Sequence, residues 1–240
     1  MCVAAIAWNA HPRWRLVVVA NRDEFHERPT APLARWDNGA IAGRDLEAGG
    51  TWLGLNEAGR FALVTNFRLP GYPRPGLASR GGLVVDWLAG APDPDGTAMN
   101  PFHLLRVGPD GASHLTNQPE PLVQPLAPGF HGVSNGHFDQ PWPKTQRLSA
   151  ALSAWIDRGE PGGPADLFAA LADETRLPAE PDSEGPDAPF SPVFIRNPAY
   201  GTRCSTVVLV DAQGAGTIIE RRFGPDGEAT GETAIGFTWP

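Results

Sequence analysis

Two apolar runs open the chain, Cys2–Trp8 and Trp14–Ala20, separated only by Asn9-Ala-His-Pro-Arg13. Both runs favour extended backbone, and so short a polar break predicts an antiparallel hairpin. Neither run alternates polar with apolar residues. Consecutive apolar positions suit strands whose sheet is covered on both faces, so the hairpin belongs inside a layered structure. If Trp8 and Trp14 close it, Cys2 faces Ala20 and shares a sheet face with Arg22. Asn21 and Asp23 then point the other way.

Further strand-like runs are Ala40–Ala42, Thr51–Leu55, Arg60–Asn66, Val133–Asn135, Arg203–Asp211 and Thr217–Phe223. The turn Asn56-Glu-Ala-Gly59 joins the second of these to the third. Helices are predicted over Leu83–Leu88, opened by Ser79, over Lys144–Arg158 and over Ala165–Ala172. In Lys144–Arg158, Leu148, Leu152, Trp155 and Ile156 form one apolar stripe. Leu177–Pro192, rich in Pro, Asp and Glu, reads as a mobile surface loop. Strands first, helices in the middle and strands last suggest an α+β arrangement of sheets flanked by helices. The 240 residues suit one domain, 1–240.

Composition excludes several function classes. A net charge of −8 leaves no room for a large basic patch, so nucleic acid is not an expected partner. Lys144 is the sole lysine. Two cysteines make no disulfide framework, and no run approaches the roughly 18 apolar residues of a membrane span. The expected location is cytoplasmic. No histidine has a partner at zinc spacing. Gly49-Gly50-Thr51 and Arg80-Gly81-Gly82 lack the Lys-Ser/Thr of a phosphate loop, and Gly-x-Ser-x-Gly is absent.

Cys2 is the chemically suggestive residue. A small second residue permits removal of Met1, which leaves a thiol and a free α-amine on one residue. That amine has a reference pKa of about 7.7–8.0 and can serve as a general base near neutrality. Position alone favours the plainer alternative, a small apolar residue opening a buried strand. Asn21-Arg22-Asp23-Glu24 follows the second apolar run; such clusters are usually solvated strand ends. Asn66 ends Phe61-Ala-Leu-Val-Thr65 among residues that want burial, and Asn135 repeats the pattern in Gly132-Val-Ser-Asn135. Buried amides need partners and can donate to an oxyanion. Arg203 opens another apolar strand.

The start Met1-Cys2, the cluster Asn21-Arg22-Asp23-Glu24, the segment Gly49-Gly-Thr-Trp-Leu-Gly-Leu-Asn56 and Tyr200-Gly-Thr-Arg203 together resemble the NRDE family. Its eukaryotic members form the transport and Golgi organisation protein 2 group. More distantly the chain is similar to cysteine N-terminal-nucleophile hydrolases, such as bile salt hydrolases and penicillin V acylases. The shared features are the Met-Cys start, the Arg/Asp cluster, an Asn-Glu-x-Gly turn leading to Asn66-Phe67, Ser134-Asn135 shortly before Phe138, and a late strand-opening arginine. Those hydrolases space the Arg and Asp further apart than Arg22 and Asp23.

The resemblance implies a four-layer αββα sandwich. It implies Cys2 as nucleophile with its amine as base, and Asp23 orienting that amine. Arg22 and Arg203 would tune thiol and substrate, with Asn66 and Asn135 at or near the oxyanion. The implied activity is amidohydrolysis of a non-peptide C–N bond in a small acyl or amide substrate, without cofactor. Two alternatives share these residues. One is a non-catalytic carrier of haem, acyl-coenzyme A or another lipid; the other is an interaction domain with a disused site.

Overall fold

The computed structural model describes residues 2–93, 96–138, 140–158, 163–176 and 188–240. The chain divides into two compact units, Met1–Glu27 with Pro128–Gly236, and Arg28–Ala127 with Phe237–Pro240. The backbone thus leaves the first unit after the opening hairpin and returns to it near residue 128.

The first unit is a six-stranded antiparallel sheet in the order β10-β1-β2-β11-β12-β13. Its strands are β1 (Val3–His11), β2 (Trp14–Phe25), β10 (Gly129–Val133), β11 (Tyr200–Asp211), β12 (Ala215–Phe223) and β13 (Ala229–Thr238). Helices α2 (Pro143–Ile156) and α3 (Pro164–Leu171) pack on one face. Val3, Ala5 and Ala7 of β1, with Val17 and Val19 of β2 and Val207 of β11, meet Leu148, Leu152, Trp155 and Ile156 of α2 and Leu167, Phe168 and Leu171 of α3. Alternate positions along each strand supply that face, as the pleat requires.

The expected hairpin forms, but its register needs correction. Val3 pairs with Asn21, Ala4 with Ala20 and Trp8 with Leu16, and an irregularity separates Trp8 from His11↔Trp14. Within it Asn9 adopts φ 44°, a left-handed conformation asparagine tolerates. Continuing this register puts Cys2 opposite Arg22 rather than Ala20. The two-residue shift preserves parity, so Cys2 and Arg22 still share a face. Asn21-Arg22-Asp23 is no solvated strand end: β2 runs through it, and all three residues are buried.

The second unit is a seven-stranded antiparallel sheet in simple sequence order. It comprises β3 (Thr30–Arg35), β4 (Ala40–Asp45), β5 (Leu53–Asn56), β6 (Phe61–Asn66), β7 (Phe102–Gly108), β8 (Gly111–Thr116) and β9 (Leu122–Leu126). Helix α1 (Gly81–Leu88) lays Leu83, Val84 and Leu88 against Ala62, Val64, Phe102, Leu104 and Leu115. The two glycine pairs noted in the sequence meet here. A Cβ on Gly50 would lie 2.6 Å from the Gly81 carbonyl carbon, and Thr51 N donates to Gly81 O. Gly50 and Gly81 thus permit the close backbone approach.

Strands β3, β7, β8, β9 and β13 were not expected from the sequence, and the sixth expected strand segment, Val133–Asn135, is the end of β10 and the turn after it. The expected loop Leu177–Pro192 lies outside the described residues as far as 187; Ala188–Phe190 form a 3₁₀ turn. Among the described residues no helix is long and apolar enough to cross a membrane, and no cluster of three or more His, Cys, Asp or Glu could hold a metal.

Candidate active site

The Asn-Arg-Asp-Glu and Tyr-Gly-Thr-Arg segments prove to be one antiparallel pair. Tyr200 lies opposite Phe25, Gly201 opposite Glu24 and Thr202 opposite Asp23; an irregularity follows, and Cys204 pairs with Arg22. Gly201 is required by crowding, because a Cβ there would sit 2.6 Å from Ile195 O. Each polar residue of β2 in this stretch has its own work. The amide nitrogen of Asn21 donates to Leu171 O (2.8 Å) and Val193 O (2.9 Å), while Ser205 Oγ donates to Asn21 Oδ1 (2.6 Å). Leu171 closes α3, so Asn21 satisfies a carbonyl that the helix leaves open. That role is structural.

Asp23 faces the helices from the same side. Thr202 Oγ1 donates to Asp23 Oδ1 (2.7 Å), and Tyr200 OH donates to Asp23 O (2.9 Å). On α2, the ammonium of Lys144 stands 4.0 Å from Asp23 Oδ2, with both side chains fully buried. Lys144 Nζ also reaches Phe190 O at 3.5 Å. Burial pushes the Asp23 carboxyl up, and Lys144, Thr202 and Arg22 oppose that rise. Burial likewise pulls the Lys144 ammonium down, opposed by Asp23 and by Cys2.

Cys2 stands just ahead of β1, at the end of the sheet. Its strand neighbour on the other side is β10, where Ala4 pairs with Val133, so the same register carries Ser134-Asn135 alongside Cys2. Ser134 Oγ donates to Cys2 O (2.7 Å) and contacts Asn135 Oδ1 at 3.4 Å. That contact turns the oxygen end of the buried Asn135 amide toward Ser134 and its donor end away. The residue is partly exposed, yet burial by surrounding protein raises its thiol pKa. The Asp23 carboxylate adds to the rise, while a hydrogen bond from the Asp23 amide and the charge of Arg22 pull it back. Cys204, one strand beyond Arg22, is buried, and its thiol is raised strongly by burial and by Glu220, as suits a packed thiol.

Of the six residues singled out in the sequence, four meet at this sheet end: Cys2, Arg22, Asp23 and Asn135. Arg203 sits at its rim, half-exposed, with Nη1 donating to Phe25 O (2.7 Å). Burial and the neighbouring Arg22 both lower its pKa. Asn66 lies in the other unit, at the end of β6; its neighbours Thr65 and Phe67 are buried, but Asn66 itself is exposed. Lys144, Thr202 and Ser134 were not singled out. A signal existed for the first, because Lys144 stands four residues before Leu148 and therefore on the apolar stripe of its helix.

The family model for Transport and Golgi organisation 2 matches residues 1–225. The chain belongs to this family. A Bos taurus relative, Transport and Golgi organization protein 2 homolog, is 32% identical over 256 residues and aligns over 92% of each chain. The Homo sapiens homolog is 31% identical over the same shares, and the Drosophila melanogaster protein 28%, over 92% of this chain and 91% of its own. Among solved structures, a variant of the conjugated bile acid hydrolase from Clostridium perfringens aligns with a TM-score of 0.57 at 10% identity, over 98% of this chain and 92% of that one. A Caenorhabditis elegans N-acylethanolamine-hydrolyzing acid amidase ortholog aligns with a TM-score of 0.51 at 11% identity, over 87% and 92%. At such identities the likeness concerns the fold. The fold class is the expected one, α+β of the αββα type, with a helical and a sheet layer in each unit.

Proposed function

We propose that this family member is a cysteine amidohydrolase that cleaves a non-peptide carboxamide C–N bond, with Cys2 as nucleophile once Met1 is removed. The observation that carries the reading is the gathering of buried Asp23, Arg22 and Asn135 around the second residue of the chain. A merely apolar strand opening has no need of them. A thiol attacks as its thiolate, so the reaction needs a base, and the freed α-amine is the base nearest the sulfur.

In the first step the amine takes the thiol proton and the sulfur attacks the carbonyl carbon. The Asn135 amide donates to the oxygen that gains charge. Collapse breaks the C–N bond, the departing nitrogen takes the proton from the α-ammonium, and a thioester remains on Cys2. Water then adds to the thioester, yielding a carboxylic acid and restoring the thiol. Asp23 orients the amine throughout. Arg22 and the rim Arg203 favour a substrate carrying negative charge near the scissile bond.

Intact-mass measurement tests the first requirement: the mature protein should lack Met1. Iodoacetamide should add one label per chain, at Cys2 and not at the buried Cys204, and Cys2→Ala should abolish both labelling and turnover of N-acyl amides. Full retention of Met1 removes the proposal. A Cys2→Ala protein that still binds hemin or an acyl-coenzyme A tightly, in a family member that hydrolyses no amide, replaces it with the carrier reading.

A further inference from the structure

Lys144 is the sole lysine of the chain, and it occupies a costly place. Its side chain is fully buried, it lies on the core-facing stripe of α2, and it stands in the first turn of that helix. There the helix dipole disfavours a cation. Taking a buried ion pair out of water is costly for each ion before the mutual attraction is counted, and apolar replacements of such pairs are often neutral or stabilising. Stability alone is a poor reason for a lysine here; a methionine would continue the stripe toward Leu148.

The surroundings suggest another reason. When Cys2 loses its proton, a second negative charge appears beside the Asp23 carboxylate. The charged or titratable groups around the sulfur are Asp23 and Arg22 on β2, Cys204 on β11, Lys144 on α2, and the amine freed by processing; Glu24, 3.7 Å from Arg22, and Glu220, which acts on Cys204, stand behind them. Lys144 is the side chain placed against Asp23 from the helix layer, at 4.0 Å. We propose that Lys144 is a positioning residue that neutralises Asp23, so that the carboxylate can orient the N-terminal amine without suppressing the thiolate of Cys2. The inference rests on the enzyme reading only in taking Cys2 as the group served.

The test is the pH dependence of Cys2 alkylation by iodoacetamide in the processed full chain. Lys144→Met should move the midpoint upward by about one pH unit, because the Asp23 carboxylate, no longer neutralised, then bears fully on the thiolate. Labelling at neutral pH then slows about tenfold. Lys144→Arg should restore most of the shift, and Lys144→Met combined with Asp23→Asn should return the midpoint toward wild type. A folded Lys144→Met protein that titrates like wild type overturns the inference, as does a double variant that stays shifted. If Lys144→Met alone fails to fold, Lys144→Gln reads the same loss of charge: its midpoint rises above wild type, or the inference fails. The outcome is separable from the enzyme reading. A chain that turns over no amide can still show the lysine-dependent midpoint, and one that hydrolyses amides can lack it.

Discussion

Both units tie a helix to a sheet with one device. In the first, the amide of Asn21 donates to Leu171 O, the last carbonyl of α3; in the second, the amide of Asn56 donates to Leu88 O (2.8 Å), the last carbonyl of α1. Beyond that the units part. The second spreads its polar contacts along the strands: Arg106 pairs with the half-exposed Asp93 and with Ser113 Oγ (2.8 Å), and His103 meets His114 (3.0 Å), which also bonds Gln124. The first gathers an acid, a lysine, an arginine and a thiol at one sheet end. Polar residues are thus dispersed along the strands of the second unit and converge at one sheet end in the first.

The sharpest way to break this contrast is to remove the acid. Asp23→Ala strands the Lys144 ammonium in the interior and should cost about 3–5 kcal/mol in urea unfolding; a loss under 1 kcal/mol would mean that the charges are not coupled. Next is the histidine pair of the second unit. With Gln124 Nε2 donating to His114 Nδ1 (3.0 Å), the ring proton sits on Nε2 and faces His103. Burial, with His103 beside it, lowers the His114 pKa to about 3. A depressed histidine pKa stabilises the fold in its neutral form. That stability is complete above the unfolded value near 6.5 and is lost as pH falls toward 3, at about 1.4 kcal/mol per pH unit. His114→Gln, which cannot titrate, should flatten the dependence; an unchanged acid slope would refute the assignment.

A smaller effect sharpens the shared device. Asn21→Ala leaves two buried carbonyls and a hydroxyl without their partner and should cost about 1–3 kcal/mol. Asn56→Ala, at a half-buried position, should cost less; the reverse order in thermal unfolding would contradict the burial argument. Smallest is the surface pair Arg158–Asp166, half-exposed at both ends, where Arg158→Ala should stay within about 0.5 kcal/mol.

The legible parts of the fold were those whose pattern is local. The opening hairpin and α2 announce themselves because each carries its apolar residues at one period. The hairpin register did not, because the irregularity at Asn9–His11 depends on backbone conformation rather than on residue type. Strand β7 escaped notice because His103 and Arg106 interrupt its apolar run, and the residues that satisfy them come from β8 and the loop after α1. The site was half legible. Cys2, Arg22, Asp23 and Asn135 carried recognisable motifs, but Lys144 hid inside a helix stripe whose meaning changes only once Asp23 is seen to face it. Thr202 and Ser134 are ordinary residues until pairing brings them alongside Asp23 and Cys2.

Between Thr202 and Cys204 the pairing of β11 with β2 skips a residue, and Arg203 is that surplus. It holds no rung of the ladder, so its side chain can be exchanged without re-phasing either neighbour: Thr202 keeps its grip on the acid, and Cys204 keeps its place beside the guanidinium. The surplus residue's own tie is its hydrogen bond to Phe25 O, so exchanging it leaves the pairing around Asp23 and Arg22 in place.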